Sequence, residues 1–273
     1  LEEINEETRV SDLDDALAFG NHKGAEKQPD LLTELVVKDV DYGYALALPL
    51  SKIKQLPGIC MAPVNIAPQN TIDEYGKIIA KDRLTHDQSY EFKSGHSVNN
   101  RVIEESLLTC PFAHALRRFI NYTVALRQKF PDCRIVCSKI DYKSAFRRMH
   151  LNAQTAARAC IQLPDQDLAL MYLRLTFGGK PCPSEWGALS ESVCDLTNAL
   201  LSNREWDPDT LLNPQSLELP EPEFLPDEIK LGKARELVMD IPVQDTGYAD
   251  VFIDDTFAIV ADLPGSDNIK RLE

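Results

Sequence analysis

No stretch of this sequence approaches about eighteen consecutive apolar residues, the least a membrane-spanning helix needs, so no helix in it is expected to cross a membrane. No secretory signal is visible, and the first residue is Leu rather than Met, as expected of a start that is processed or cut from something longer. The seven cysteines, at 60, 110, 133, 137, 160, 182 and 194, are odd in number and include no Cys-x-x-Cys pair. That disfavours a disulfide framework and a zinc finger, and it predicts reduced, mostly buried thiols in an intracellular setting, cytoplasm or nucleus. No internal repeat is apparent. Cations are scarce as well: the net charge is −14, which at first argues against a nucleic-acid partner.

The average hides a segregation. Residues 101–180 hold thirteen Lys and Arg against six Asp and Glu, whereas residues 1–30 hold three against nine and residues 201–250 four against twelve. The middle of the chain can face phosphates while the flanks face water. With 273 residues the chain can bury a sizeable core, as one large domain or two small ones.

What is present is organised around Asp250-Val251-Phe252-Ile253-Asp254-Asp255-Thr256-Phe257-Ala258-Ile259-Val260, two apolar strand-like runs with adjacent carboxylates between them. Side chains alternate along a strand, so both acids reach one site only if the pair lies at a turn. Two neighbouring carboxylates repel, and a cation relieves the repulsion.

Residues 1–40 read as an acidic lead-in, mobile over 1–30, with one short helix near Leu13–Phe19. Short extended runs follow at Tyr44–Leu48, Ile59–Ile66 and Ile72–Leu84, the last folded around Glu74-Tyr75-Gly76 and placing Lys81 and Arg83 on one face. Cys110–Phe130 has helical spacing, and Arg134–Ile140 reads as a buried strand leading into Asp141. Strands at Ala157–Leu163 and Leu168–Leu175 flank a Pro164-Asp165 turn. A helix from Pro183 or Ser184 to about Leu201 is predicted to bury Trp186, Leu189, Val193, Leu196 and Leu200. Residues 203–244 are acidic and Pro-rich, with a helical interlude at Asp227–Met239, and read as a surface insertion.

Four stretches, in this order, resemble the reverse transcriptases, in particular the polymerase domain of retrotransposon-type elements. Lys81-Asp82-Arg83-Leu84-Thr85-His86-Asp87 looks like the fingers motif that grips the incoming triphosphate, and Ile140-Asp141-Tyr142-Lys143-Ser144-Ala145-Phe146 like the palm motif with the first catalytic aspartate. Leu175-Thr176-Phe177-Gly178 through Pro183 is similar to the loop and helix beside the template. Phe252-Ile253-Asp254-Asp255 resembles the aromatic-x-Asp-Asp box, with Phe where Tyr is commoner. The resemblance covers residues 77–260.

It implies an α+β fold, a right-hand palm (antiparallel sheet with helices on one face) plus a fingers lobe. Residues 41–135 would be fingers with the first strands, 136–262 palm, with 154–182 returning to the fingers and 203–244 inserted, and 263–273 a truncated tail. The implied activity is RNA-directed DNA polymerisation. Asp141, Asp254 and Asp255 would be the catalytic and metal-binding residues, with two Mg²⁺ ions, or Mn²⁺ in their place. Lys81, Arg83, Tyr142, Phe146, Phe177 and Gly178 would bind the nucleotide, Lys77 is a third candidate cation, and Lys180, Arg147 and Arg148 are candidate phosphate contacts. By the resemblance an aromatic at 146 packs where a ribose 2′-hydroxyl would go, which selects deoxynucleotides, and the Tyr142 carbonyl touches a metal. The implied partners are an RNA or DNA template with primer and deoxynucleoside triphosphates, with no membrane. The chain ends eighteen residues after Asp255, so the thumb and ribonuclease H domains are expected in a parent polyprotein. Two alternatives remain: an inactive remnant that keeps the fold and binds nucleic acid weakly, and an RNA-dependent RNA polymerase, which Phe146 disfavours.

Overall fold

The computed structural model describes residues 1–73, 75–107, 111–207, 209 and 246–272. In chain order the elements are α1 (Glu6–Phe19), α2 (Lys23–Glu26), α3 (Pro29–Asp41), β1 (Ala45–Pro49), β2 (Val64–Ala67), β3 (Asn70–Ile72), β4 (Ile78–Ala80), β5 (Arg83–His86) and α4 (Ala115–Lys129). Then come β6 (Arg134–Asp141), α5 (Ala153–Ala156), β7 (Cys160–Leu163), β8 (Leu168–Tyr172), α6 (Cys182–Ser202), β9 (Gly247–Phe252), β10 (Asp255–Asp262) and α7 (Asn268–Leu272). The protein is α+β with small antiparallel sheets, and none of its described helices is long and apolar enough to cross a membrane. The expected insertion lies, apart from 203–207 and 209, outside the described residues, as do Cys110 and Glu74.

Two compact units divide the chain, one of residues 1–107 with 144–183 and one of 108–143 with 184–273. In the first, β1, β8 and β7 form a sheet in that order, and β2–β5 and β3–β4 form separate two-stranded ladders. Alternation along β7 sends Ile161 and Leu163 to a cluster with Leu32 and Val36 of α3, and Cys160 to another with Leu13 and Ala16 of α1. Burial pushes the Cys160 thiol up to about 12, the Cys60 sulfur adding to it, so this cysteine packs as a small hydrophobe.

The acidic start, expected as a mobile lead-in, is folded into helices. Asn5 caps α1 by accepting from the Thr8 amide (2.8 Å), and Gly20 ends it at φ 80°. The helix is hard to read from sequence because its buried stripe, Arg9, Leu13 and Ala16, contains a charge. The Arg9 guanidinium satisfies itself internally, donating to Glu6 (2.8 Å) and to the Ile59 carbonyl (2.7 Å).

In the second unit the sheet order is β6-β10-β9, and both faces are covered. Ile259 and Ala261 meet Tyr122 and Leu126 of α4, while the alternate residues Ala258 and Val260 meet Cys194 and Leu201 of α6. This corrects the expectation of helices on one face only. It also explains why α4 belongs with this sheet although the sequence placed residues 41–135 together: Tyr122 is buried against it and donates to the Gly247 carbonyl (2.9 Å). On α6 the buried stripe is Trp186, Ser190, Cys194 and Leu201, whereas Leu189 and Leu196 are exposed. The predicted stripe is rotated because two polar residues take core positions. One is Ser190. The other is Asn198, whose amide donates to the Ala249 carbonyl (2.8 Å) and accepts from the Ala249 amide (2.7 Å), so it completes the edge of β9 as a further strand would.

Candidate functional site

Phe252 pairs with Asp255, so Ile253 and Asp254 form a two-residue loop between β9 and β10. Ile253 takes φ 57°, the left-handed region that a β-branched residue adopts only under strain, at a cost of roughly 1–3 kcal/mol. The loop is held from two sides. The Trp186 indole N–H donates to the Ile253 carbonyl (2.7 Å), the Tyr142 amide donates to the Asp254 carbonyl (3.2 Å), and the Tyr142 ring stands edge-on to Trp186 at 5.5 Å. Replacing Ile253 by Asn, which tolerates this conformation, is expected to raise the stability of this unit by about 1 kcal/mol. Urea unfolding read by tryptophan fluorescence measures it, and an equal loss would mean that the Ile253 side chain packs for more than its backbone costs.

Register brings the acids together. Asp255 of β10 lies directly opposite Asp141 of β6, and side chains so paired share a face with Cβ atoms about 5 Å apart. Like charges in that position repel. Lys139, two residues before Asp141 and so on the same face, places its ammonium 3.0 Å from an Asp255 carboxylate oxygen. The hydrogen bond to Asp255 raises the Lys139 pKa, desolvation opposes it, and the charges of Asp255, Asp141 and Asp254 add to the rise. As donors, carboxylate oxygens suit magnesium. As placed, they do not converge, since no three His, Cys, Asp or Glu side chains among the described residues are gathered to hold a metal ion.

One strand over, Asp250 is fully buried and paired. Arg118 of α4 grips it through two parallel hydrogen bonds (2.6 and 2.7 Å), the Tyr248 hydroxyl donates to it (2.8 Å), and so does the Val251 amide (2.9 Å). The hydrogen bond to Asp250 raises Arg118 further, and burial followed by the Asp250 charge raises the Tyr248 phenol. The one signal of this pair in the sequence is an Asp inside an apolar strand run.

The first unit holds the other candidates. Arg83 sits over the Phe177 ring (5.5 Å to its centroid), and Phe177 packs against Phe146 (5.8 Å). Phe177 is 43% exposed, so this stack presents a ring face and a guanidinium together. Gly178 follows with φ 128°, and a Cβ there would lie 1.9 Å from the His86 carbonyl oxygen. The loop is fastened by Asn99, whose side chain donates to the Gly178 carbonyl (2.8 Å) and accepts from the Lys180 amide (2.8 Å), and by Gln88, which donates to Thr176 (3.0 Å). Neither Asn99 nor Gln88 stands out in the sequence, since a scaffold amide has no motif of its own.

Lys81 lies outside the strands, whereas Arg83 opens β5. β4 ends at Ala80 and β5 begins at Arg83, so alternation is broken between them, and the exposed Lys81 is anchored through its amide to Gln69 (2.7 Å). Lys77 lies outside the strands too, its amide bonded to Asp73. Of the candidate phosphate contacts, Lys180 pairs with Glu104, and Arg147 binds Asp39 and the Leu175 carbonyl, each at 3.0 Å.

Beneath the loop, His86 is buried with no hydrogen-bond partner at either ring nitrogen among the described residues. It stands edge-on to Tyr172 (4.4 Å), over whose ring the Arg147 guanidinium lies (4.6 Å) and beside which Asp39 pairs with Arg147. Burial, then the Arg147 charge, holds its pKa well below 6.5. The folded chain keeps the ring neutral, while the unfolded chain takes up a proton below about pH 6.5. This stability is present above that pH and falls as pH drops, by up to about 1.4 kcal/mol per pH unit. Urea midpoints at pH 7.5, 6.5 and 5.5 are expected to fall more steeply for wild type than for His86→Leu. Parallel profiles would show that His86 is not the group.

The structure thus gathers the candidates in two sets. Asp141, Asp254, Asp255 and the Tyr142 backbone meet at the hairpin, and Arg83, Phe146, Phe177 and Gly178 meet in the other unit. Comparison with protein-family models gives no match, and comparison with curated proteins gives none either.

Proposed function

We propose that this chain carries fingers and palm parts of an RNA-directed DNA polymerase, which adds deoxynucleotides to a primer by nucleotidyl transfer. The observation that carries the reading is the Asp255–Asp141 pair, with Asp254 in the adjoining two-residue loop. Two motifs far apart in sequence bring carboxylates onto neighbouring strands of one sheet face, and hard oxygen donors are the kind that in-line phosphoryl displacement with metal ions uses. Bound magnesium, or manganese in its place, would supply Lewis-acid stabilisation of the reacting phosphate oxygens, held by Asp141, Asp254 and Asp255.

The other residues bind and select. Arg83 suits triphosphate oxygens because its planar fork donates two parallel hydrogen bonds, and its seat over Phe177 limits its freedom. The Phe146–Phe177 pair is an apolar wall against a sugar. A 2′-hydroxyl forced onto it loses its water partners, at about 1–3 kcal/mol, which favours deoxynucleotides. Gly178 lets the loop that carries Phe177 pass close against the His86 carbonyl.

The test is primer extension on an RNA template with magnesium, comparing deoxynucleotides with ribonucleotides and wild type with Asp254→Asn. Extension with deoxynucleotides alone, lost in the variant, is expected. Preference for ribonucleotides would move the reading to an RNA polymerase. Salt-sensitive duplex binding with no extension would leave the remnant reading.

A further inference from the structure

We infer that Lys139 is a displaceable internal counter-ion of the carboxylate pair, which occupies the place of a divalent cation until one is loaded. This rests on the proposed two-carboxylate site. Asp141 and Asp255 face each other across β6 and β10, and an antiparallel ladder holds such side chains close whatever their charge. Lys139 pairs opposite Phe257, one side-chain step along the same face, so its stem can lie along the sheet towards Asp255. Its ammonium reaches an Asp255 oxygen at 3.0 Å.

Two other cations of this unit are paired elsewhere, Arg134 at the far end of β6 with Asp262 (2.9 Å) and Arg118 of α4 with Asp250. A magnesium ion takes carboxylate oxygens at about 2.0–2.1 Å. An ion so close to the Asp255 oxygen would lie within a few ångströms of the ammonium, and the two cations would repel. Both cannot hold that oxygen together.

Displacement is easy because the Lys139 side chain is 56% exposed and its four-carbon stem is flexible. Lys139 is therefore a positioning residue, which keeps the acids compatible while no metal is bound and sets how tightly one binds.

The experiment is a manganese titration read by electron paramagnetic resonance of free Mn²⁺, with thermal unfolding of the same samples. Wild type, Lys139→Met, Lys139→Arg and Asp254→Asn are compared, Asp254→Asn separating site binding from adventitious surface acids. Removing the ammonium is expected to tighten the site about tenfold. Without metal, Lys139→Met is expected to unfold at lower temperature than wild type, and saturating Mn²⁺ is expected to close or reverse the difference. Lys139→Arg, which keeps the charge, is expected to behave as wild type. Affinity unchanged in Lys139→Met but weakened in Asp254→Asn would overturn the inference and leave the site standing. Binding untouched by Asp254→Asn would overturn the metal-site reading and this inference with it.

Discussion

Arg118→Met is expected to destabilise the second unit by about 3–5 kcal/mol, because it strands a buried carboxylate. Asp250 has no exposed surface and takes two of its four hydrogen bonds from that guanidinium. The Tyr248 hydroxyl and the Val251 amide remain, but neither carries a charge to oppose it. Truncation alone would cost far less than an uncompensated charge, so the size of the effect identifies its cause. Both tryptophans, Trp186 and Trp206, lie in this unit, and their fluorescence in a urea titration reports its unfolding. The double variant Arg118→Met with Asp250→Asn is expected to recover most of the loss, since it removes the charge as well as its partner. A single-variant loss under 1 kcal/mol, or no recovery in the double, would mean that Asp250 finds water or another cation.

The second large effect is at the glycine loop. Gly178→Ala is expected to cost about 3 kcal/mol or more, the sum of a strained backbone and an overpacked contact. The clash is with a carbonyl oxygen of β5 that cannot rotate away, at 1.9 Å. Gly179→Ala is the control. Its Cβ would meet Cys182 Sγ at 2.6 Å and Gln88 Oε1 at 2.9 Å, which are side-chain ends able to move, so its cost is expected to be under half. Urea unfolding of the two variants gives the ratio, and equal costs would show that the loop shifts freely. If the proposed activity holds, Gly178→Ala also loses primer extension, because the displaced loop carries Phe177 away from Arg83 and Phe146.

Much of the hairpin is legible in the amino-acid sequence, for a local reason. Apolar alternation on both sides of Asp254-Asp255 and the shortness of the break leave little choice but a tight turn, and strand periodicity then dictates which side chains share a face. The strand into Asp141, the helix after Pro181 and the Gly178 loop are readable in the same way, from spacing and from the residues that punctuate it. Where local signals are weak the reading fails. Helix α1 buries an arginine, which reads as surface until Glu6 and the Ile59 carbonyl are found beside it.

The alternation along the hairpin strands and the order of the four motifs are properties of the sequence alone, since they depend on residues within a few positions of one another or on chain order. It took the packed chain to set Asp141 opposite Asp255, to bring the Lys139 ammonium to Asp255, and to give Arg118 to Asp250. The same packing assigned Trp186 to the Ile253 carbonyl and Asn99 to the glycine loop. The physical reason is common to all of these. Register across a sheet and pairing of buried polar groups are set by what satisfies every donor, acceptor and charge at once, and those partners are brought together only by the tertiary fold.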